Sequence, residues 1–396
     1  MKYEIKKKNG IRRWVIVCLA FVILLCVAMM ALQAEEAKVR DTSDSAPSGA
    51  EEELLVIETD ILEQNEFGSA TLSIGSKELL DAGFSFGDTV DVIFENGSEY
   101  IDIPFLNGYY MKRGDPLLLI YRQEAHPFVA INYGRIFEAA NLSKGMKVEV
   151  RMHEKGKAAD IQRLNNLEYS NERTDYAELE DADFANAREI TVGKLKPGTL
   201  FRSSSPFTNE IGRADYVAAF IEEQGIRTVL DLADDEEKIS GYADIPDASQ
   251  KLLDTGRVIL NRMTADYLSE EFETKVAKGL TEMSLREGPY LVQCLEGRDR
   301  TGFISALLGA LSGADFEELE EDFMLTYKNI FKITKEDAER YDLISSSYFV
   351  PMYTAITGTG DRNLSGDEIQ QAAQAYMERI GMTKETIEKL KEHLLN

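Results

Sequence analysis

The side chains with the most chemical capacity fall in one short segment, Tyr290-Leu-Val-Gln-Cys-Leu-Glu-Gly-Arg-Asp-Arg-Thr-Gly302. A thiol, Cys294, is followed six positions later by a guanidinium, Arg300, with an apolar run before the pair and another, Phe303 to Leu311, after it. A buried strand that feeds a tight loop into a helix brings several backbone N–H groups to one point ahead of the helix N-terminus, and a phosphate dianion fits that point. The same amides and helix dipole favour the thiolate form of a thiol at the base of the loop. A guanidinium at the helix start offers a planar fork for two equatorial phosphate oxygens. The chemistry open to such a set is thiolate attack on phosphorus, loss of an alcohol or phenol, and hydrolysis of the cysteinyl-phosphate. Gly297 permits the turn in mid-loop, and Gly302 lets the helix begin in close packing. The competing reading makes Cys294 a structural thiol and the arginines solvated charges. The strand, the glycines, the following helix and the placement of the cysteines together weigh against it.

The elements around the segment fit the part. From Ile190 onward strand and helix patterns alternate: Thr199 to Arg202, Ile226 to Leu232, Arg257 to Asn261 and Tyr290 to Gln293 read as strands, and Ala214 to Gln224 and Glu270 to Arg286 as helices. That alternation predicts an α/β domain with a mostly parallel sheet flanked by helices. Phe316 to Asn396 reads as helical, with starts at Thr334-Lys335-Glu336-Asp337 and Thr383-Lys384-Glu385-Thr386. Leu54 to Met152 instead shows short alternating runs such as Val90-Asp91-Val92-Ile93-Phe94, separated by Gly87-Asp88, Asn96-Gly97 and Gly114-Asp115, which predicts a small all-β barrel or sandwich.

The N-terminus sets the expected compartment. Six basic residues within the first 13 precede an uncharged apolar run from Trp14 to Leu32, long enough at ~1.5 Å per residue to approach the roughly 30 Å bilayer core. It reads as a membrane anchor or a signal peptide; its length and the poor small-residue match at Leu32-Gln33-Ala34 favour the anchor. With the basic flank inside, the rest of the chain is expected outside the cytoplasmic membrane, or secreted if the segment is cleaved. The expected organisation is thus 1–34 membrane segment, 35–53 acidic linker, 54–153 β domain, 154–186 second linker and 187–396 α/β domain.

Composition narrows the function classes. The 396 residues carry 44 Lys plus Arg against 70 Asp plus Glu, a formal charge of −26, and a field of that sign disfavours nucleic acid and other broad polyanions. Of three cysteines, Cys18 and Cys26 lie inside the apolar run, which leaves Cys294 without an intrachain disulfide partner and excludes a disulfide scaffold. The three histidines are far apart in sequence, and no metal or other cofactor is expected.

The Cys294–Gly302 loop resembles that of the bacterial tyrosine-phosphatase branch of the cysteine-dependent phosphatases, whose pattern is His-Cys-x-x-Gly-Lys-Asp-Arg-Thr-Gly. Leu200-Phe-Arg-Ser-Ser-Ser-Pro206 resembles the branch's entry strand and Gly225-Ile-Arg-Thr-Val-Leu-Asp-Leu232 its second strand. The resemblance implies a phosphomonoester hydrolase with Cys294 as nucleophile, Arg300 as phosphate clamp, Asp299 as proton donor, and Thr301 orienting the thiolate or its hydrolysis. Leu295, Glu296, Gly297 and Arg298 would complete the phosphate loop. Four departures stand out: Gln293 for His, Arg298 for Lys, Ala233 where the branch often has Arg, and Glu296, which opposes phosphate unless it turns outward or pairs with Arg298 or Arg202. Asp266 is the alternative acid, Asp231 a strand-end candidate, and Arg202 a candidate support for the loop; each also reads as purely structural. Phe67-Gly-Ser-Ala-Thr-Leu, Gly87-Asp-Thr-Val-Asp-Val92, Gly114-Asp-Pro-Leu-Leu-Leu119 and Phe128-Val-Ala-Ile-Asn-Tyr-Gly134 resemble the C-terminal barrel of S-adenosylmethionine hydroxide adenosyltransferases, without the domain that holds much of that family's nucleoside site. The β domain is therefore expected to be a spacer or recognition module.

Three functions follow as expectations: a tyrosine or dual-specificity phosphatase acting on phosphorylated protein or a small phosphomonoester; an inositol-polyphosphate or phosphoinositide phosphatase, suggested by the pair Arg298 and Arg300; and a catalytically weak phosphate-binding surface protein, suggested by Gln293 and Glu296.

Overall fold

Alternating apolar residues give the N-terminal strands one buried face, as in Val90, Val92 and Phe94 of Thr89–Phe94 and Val148, Val150 and Met152 of Lys147–Glu154. The computed structural model describes residues 55–121 and 124–395. Its first seven strands are β1 (Val56–Gln64), β2 (Ala70–Leu72), β3 (Thr89–Phe94), β4 (Glu99–Leu106), β5 (Pro116–Leu119), β6 (Phe128–Ile131) and β7 (Lys147–Glu154). They close into a barrel in the order β1-β2-β6-β5-β4-β3-β7, which leaves no open sheet edge. All neighbours are antiparallel except β4 and β5. At the Asn96-Gly97 turn Gly97 takes a φ of +86°, a conformation that most side chains resist.

Residues 154–186, expected as a linker from their polar composition, are built instead from short helices, Ala159–Asn165, the 3₁₀ turn Arg173–Tyr176 and Asp181–Phe184. The charged residues line the outside while Tyr176 and Phe184 are buried. Val56–Asn396 forms one compact unit.

The second sheet runs β11 (Val258–Leu260), β10 (Thr228–Asp231), β12 (Tyr290–Gln293), β9 (Leu200–Ser203), β8 (Arg188–Glu189). All its pairings are parallel except β8 with β9. Strands covered on both faces need apolar residues throughout, and alternate residues here serve two cores. Phe201, Val229 and Leu291 pack with the helix Ala214–Gln224; Leu200, Leu230 and Val292 pack with the helices Glu270–Met283 and Asp299–Leu311. The latter is buried from Thr301 to Leu311, as expected for a helix apolar on every side. Helices from Phe316 to Leu394 complete that layer. Several boundaries move: the strands expected at Thr199 to Arg202, Ile226 to Leu232 and Arg257 to Asn261 span Leu200–Ser203, Thr228–Asp231 and Val258–Leu260. Glu270 to Arg286 stops at Met283, and the cap expected at Thr334 is supplied by Asp337, whose carboxylate accepts from Arg340 N.

Among the described residues no helix is long and apolar enough to cross a membrane; the expected anchor, Trp14 to Leu32, lies outside them.

Candidate active site

β12 delivers Cys294 to the carboxyl edge of the sheet, and the helix Asp299–Leu311 leaves from the same place. The loop between them is pinned by its carbonyls. Leu295 O accepts from Ser205 N at 3.0 Å, Glu296 O from Asn186 Nδ2 at 3.0 Å, and Gly297 O from Arg202 Nη2 at 2.8 Å. In a trans peptide the C=O of one residue and the N–H of the next point in opposite directions. Anchoring these three carbonyls outward therefore turns the N–H groups of Glu296, Gly297 and Arg298 into the loop. The helix N-terminus adds its own amides, so the loop presents an anion-binding nest above Cys294, which is buried. Gly297 has a φ of +67°, and a Cβ there would stand 2.4 Å from Ser203 O; only glycine lets the loop lie against β9.

Arg202 is wholly buried and joins the loop to the helix Phe316–Phe331 through Asp322 and Thr326. Asp322 also accepts from Arg188 Nε at 3.1 Å. Burial alone would raise its carboxyl, but Arg188 and Arg202 outweigh that and hold it below the ordinary aspartate value.

Glu296 pairs with Arg298 at 3.4 Å and accepts from Tyr169 Oη at 2.9 Å. The charge expected to oppose phosphate is thereby compensated. Arg298 in turn pairs with Asp299 and lies 5.4 Å from the Phe331 ring centroid, so its charge is engaged on the protein side of the loop. Arg300 donates Nη1 to Leu232 O at 3.2 Å and to Met263 O at 3.4 Å. Those carbonyls lie just past β10 and β11, and its Nε and Nη2 hydrogens have no partner among the described residues. The Thr301 hydroxyl is buried and equally without a partner there.

Asp231 and Asp266 are placed differently. The Asp231 carboxylate accepts from Ala233 N at 2.8 Å and Asp234 N at 3.1 Å, shaping the turn that presents Leu232 O. Burial and then the nearby Asp234 push its carboxyl well above the ordinary value. Asp266 forms a two-point ion pair with Arg113 of the barrel. Gln293 shares the sheet face of Leu291, and both polar atoms of its buried amide lack a protein partner among the described residues.

The sequence reading missed Asn186, Tyr169, Ser205, Asp322 and Thr326 as loop holders, and Arg113 as a neighbour. Each acts from far away in sequence, Asn186 across 110 residues. No local spacing announces such contacts.

Residues 183–396, more than half of the chain, match the tyrosine phosphatase family. Among solved structures, the catalytic core of Siw14 is 16% identical, covers 48% of this chain and 95% of its own, and has a TM-score of 0.26. TpbA of P. aeruginosa is 19% identical over 52% of this chain and 94% of its own, with a TM-score of 0.21. An uncharacterised conserved protein from Thermotoga maritima is 16% identical over 27% of this chain, which spans 41% of that protein, with a TM-score of 0.22. No curated protein matches. Cys294 to Gly302 lies within the matched stretch, and the chain belongs to the tyrosine phosphatase family, a phosphoric monoester hydrolase of the protein-tyrosine-phosphatase type.

Proposed function

We propose that the chain hydrolyses phosphotyrosine through a cysteinyl-phosphate formed on Cys294. The observation that carries this reading is the loop whose carbonyls are tied outward and whose amides converge over that thiol. In the first step Cys294 Sγ forms a bond to phosphorus as the P–O bond to the tyrosine oxygen breaks, and Asp299 supplies the proton that the phenolate takes up. In the second, water attacks phosphorus, the S–P bond breaks, and the carboxylate of Asp299 receives the water's proton. Arg300 holds the equatorial oxygens with its Nε and Nη2 edge, and Thr301 donates its hydroxyl to the sulfur as it leaves. Arg298 is committed to Glu296 and Asp299, which removes the second loop cation that an inositol polyphosphate would call on. We further propose that Trp14 to Leu32 anchors the chain, with the catalytic unit outside the cytoplasmic membrane.

The full chain is expected to release phosphate from a phosphotyrosyl peptide, and Cys294→Ser to abolish that release. Equal inertness of both proteins would leave a phosphate-binding role. A higher kcat/KM for inositol hexakisphosphate than for the peptide would overturn the substrate assignment.

A further inference from the structure

The barrel meets the phosphatase sheet at the loop that touches Arg300. Arg113, in the β4–β5 connection, reaches the Asp266 carboxylate with both terminal nitrogens, Nη2 to Oδ2 at 2.9 Å. Glu66, in the β1–β2 turn, accepts from Arg262 at 3.3 Å. The two pairs have opposite polarity, so a docking that exchanged their partners would set like charges together. The Arg113 guanidinium also lies 5.1 Å from the centroid of the Tyr133 ring. Beyond Asp266, Tyr267 stacks on Phe303, with centroids 5.9 Å apart and planes at 19°. A continuous series of contacts therefore runs from Tyr133 in the barrel, through Arg113, Asp266 and Tyr267, to the helix that begins at the phosphate loop.

Tyr133 is 46% exposed; surrounding protein first, and then Asp299, Tyr267 and Asp266, push its phenol above the ordinary value. Phe67, which follows Glu66, and Leu268, whose N–H donates to Asp266 Oδ1 at 3.3 Å, are 62% and 60% exposed. Arg113 and Arg262 are neutralised by carboxylates, which leaves Tyr133, Phe67 and Leu268 as exposed apolar groups on the residues flanking these pairs.

We propose that the barrel forms one wall of the active-site cleft, with Tyr133 recognising the aryl ring of a phosphotyrosine carried on a polypeptide and Arg113 positioning the Met263–Ser269 loop. The inference rests on the phosphotyrosine reading above and assigns the barrel a part in it. Phe67 and Leu268 then receive apolar residues flanking the phosphotyrosine.

The test compares phosphotyrosyl and phosphoseryl peptides of one sequence with the full chain. Tyr133 has a φ of +54°, so Tyr133→Asn removes the ring while keeping a residue tolerant of that conformation, and Tyr133→Phe keeps the ring. The Asn variant is expected to lower the phosphotyrosyl-to-phosphoseryl ratio of kcat/KM by about tenfold, through KM, while the Phe variant stays within about threefold of wild type. Arg113→Met is expected to lower kcat on both peptides alike, with Arg113→Lys recovering part of it. Thermal melts of each variant separate these effects from unfolding. A ratio that moves less than about twofold in Tyr133→Asn, or Arg113→Met with wild-type kcat, overturns the barrel's role while the phosphotyrosine reading stands. A wild type that cleaves neither peptide overturns both.

Discussion

Asp299 and Asp266 are each held by an arginine, Asp299 by Arg298 beside it and Asp266 by Arg113 of the barrel. Asp299 lies in the loop itself, between Arg298 and Arg300, and is the donor proposed above. Asp299→Asn is accordingly expected to lower kcat/KM on a phosphotyrosyl peptide by about 10²- to 10⁴-fold. The loss should be much smaller on p-nitrophenyl phosphate, whose leaving group needs little protonation. Asp266→Asn should cost both substrates alike. If the leaving-group dependence follows Asp266 instead, the roles are reversed. At this scale the placement of Cys294, Gly297 and Arg300 on one tight loop was legible, because their spacing requires it, and the pairing of Glu296 with Arg298 is one of the outcomes its charge allowed. Asn186 was not, since a buried side-chain amide that meets a loop carbonyl has no signature in its own segment.

The elements of the phosphatase sheet are joined behind the loop by one carboxylate. Asp322, on the helix Phe316–Phe331, binds Arg188 of β8 and Arg202 of β9, and Arg202 passes the constraint to Gly297 O. Removing one charge of a buried set leaves the others uncompensated, and Asp322→Asn is expected to destabilise the fold by about 3–5 kcal/mol. The pH dependence has a definite sign. Because the folded carboxyl is held below its unfolded value near 3.9, the stabilisation is present above that value and is lost as pH falls through the depressed folded one. Urea unfolding between pH 6 and pH 2.5 should therefore show a decline in wild type that is shallower in Asp322→Asn; parallel curves would refute the linkage. Element positions in this region were mostly legible, because β-branched strands between glycine breaks leave a strong pattern: Tyr290 to Gln293 and Ala214 to Gln224 keep their expected bounds. Residues 154–186 were not, because short helices that bury two aromatic rings look like a charged linker in composition.

For the whole molecule, the sequence suggested separate modules, whereas Val56–Asn396 is one compact unit with the barrel tied to the catalytic side by ion pairs. Arg113 and Asp266 are 153 residues apart, and a pair at that separation is set by tertiary docking, which no periodicity encodes. The charge of −26 gains meaning in the same way, since Arg113, Arg262 and Arg298 all face carboxylates. Such a charge should be repelled by anionic headgroups, so the membrane attachment proposed above would rest on the apolar run Trp14 to Leu32. The basic flank before that run is the ground for the proposed orientation, N-terminus inside and acidic unit outside. In membranes from cells expressing the full chain, the protein is expected to stay in the pellet through an alkaline carbonate wash, and protease added to intact spheroplasts should digest it. Release into the medium with loss of about the first 34 residues would mean cleavage of a signal peptide. Protection from the added protease would place the phosphatase inside and overturn the orientation drawn from the basic flank.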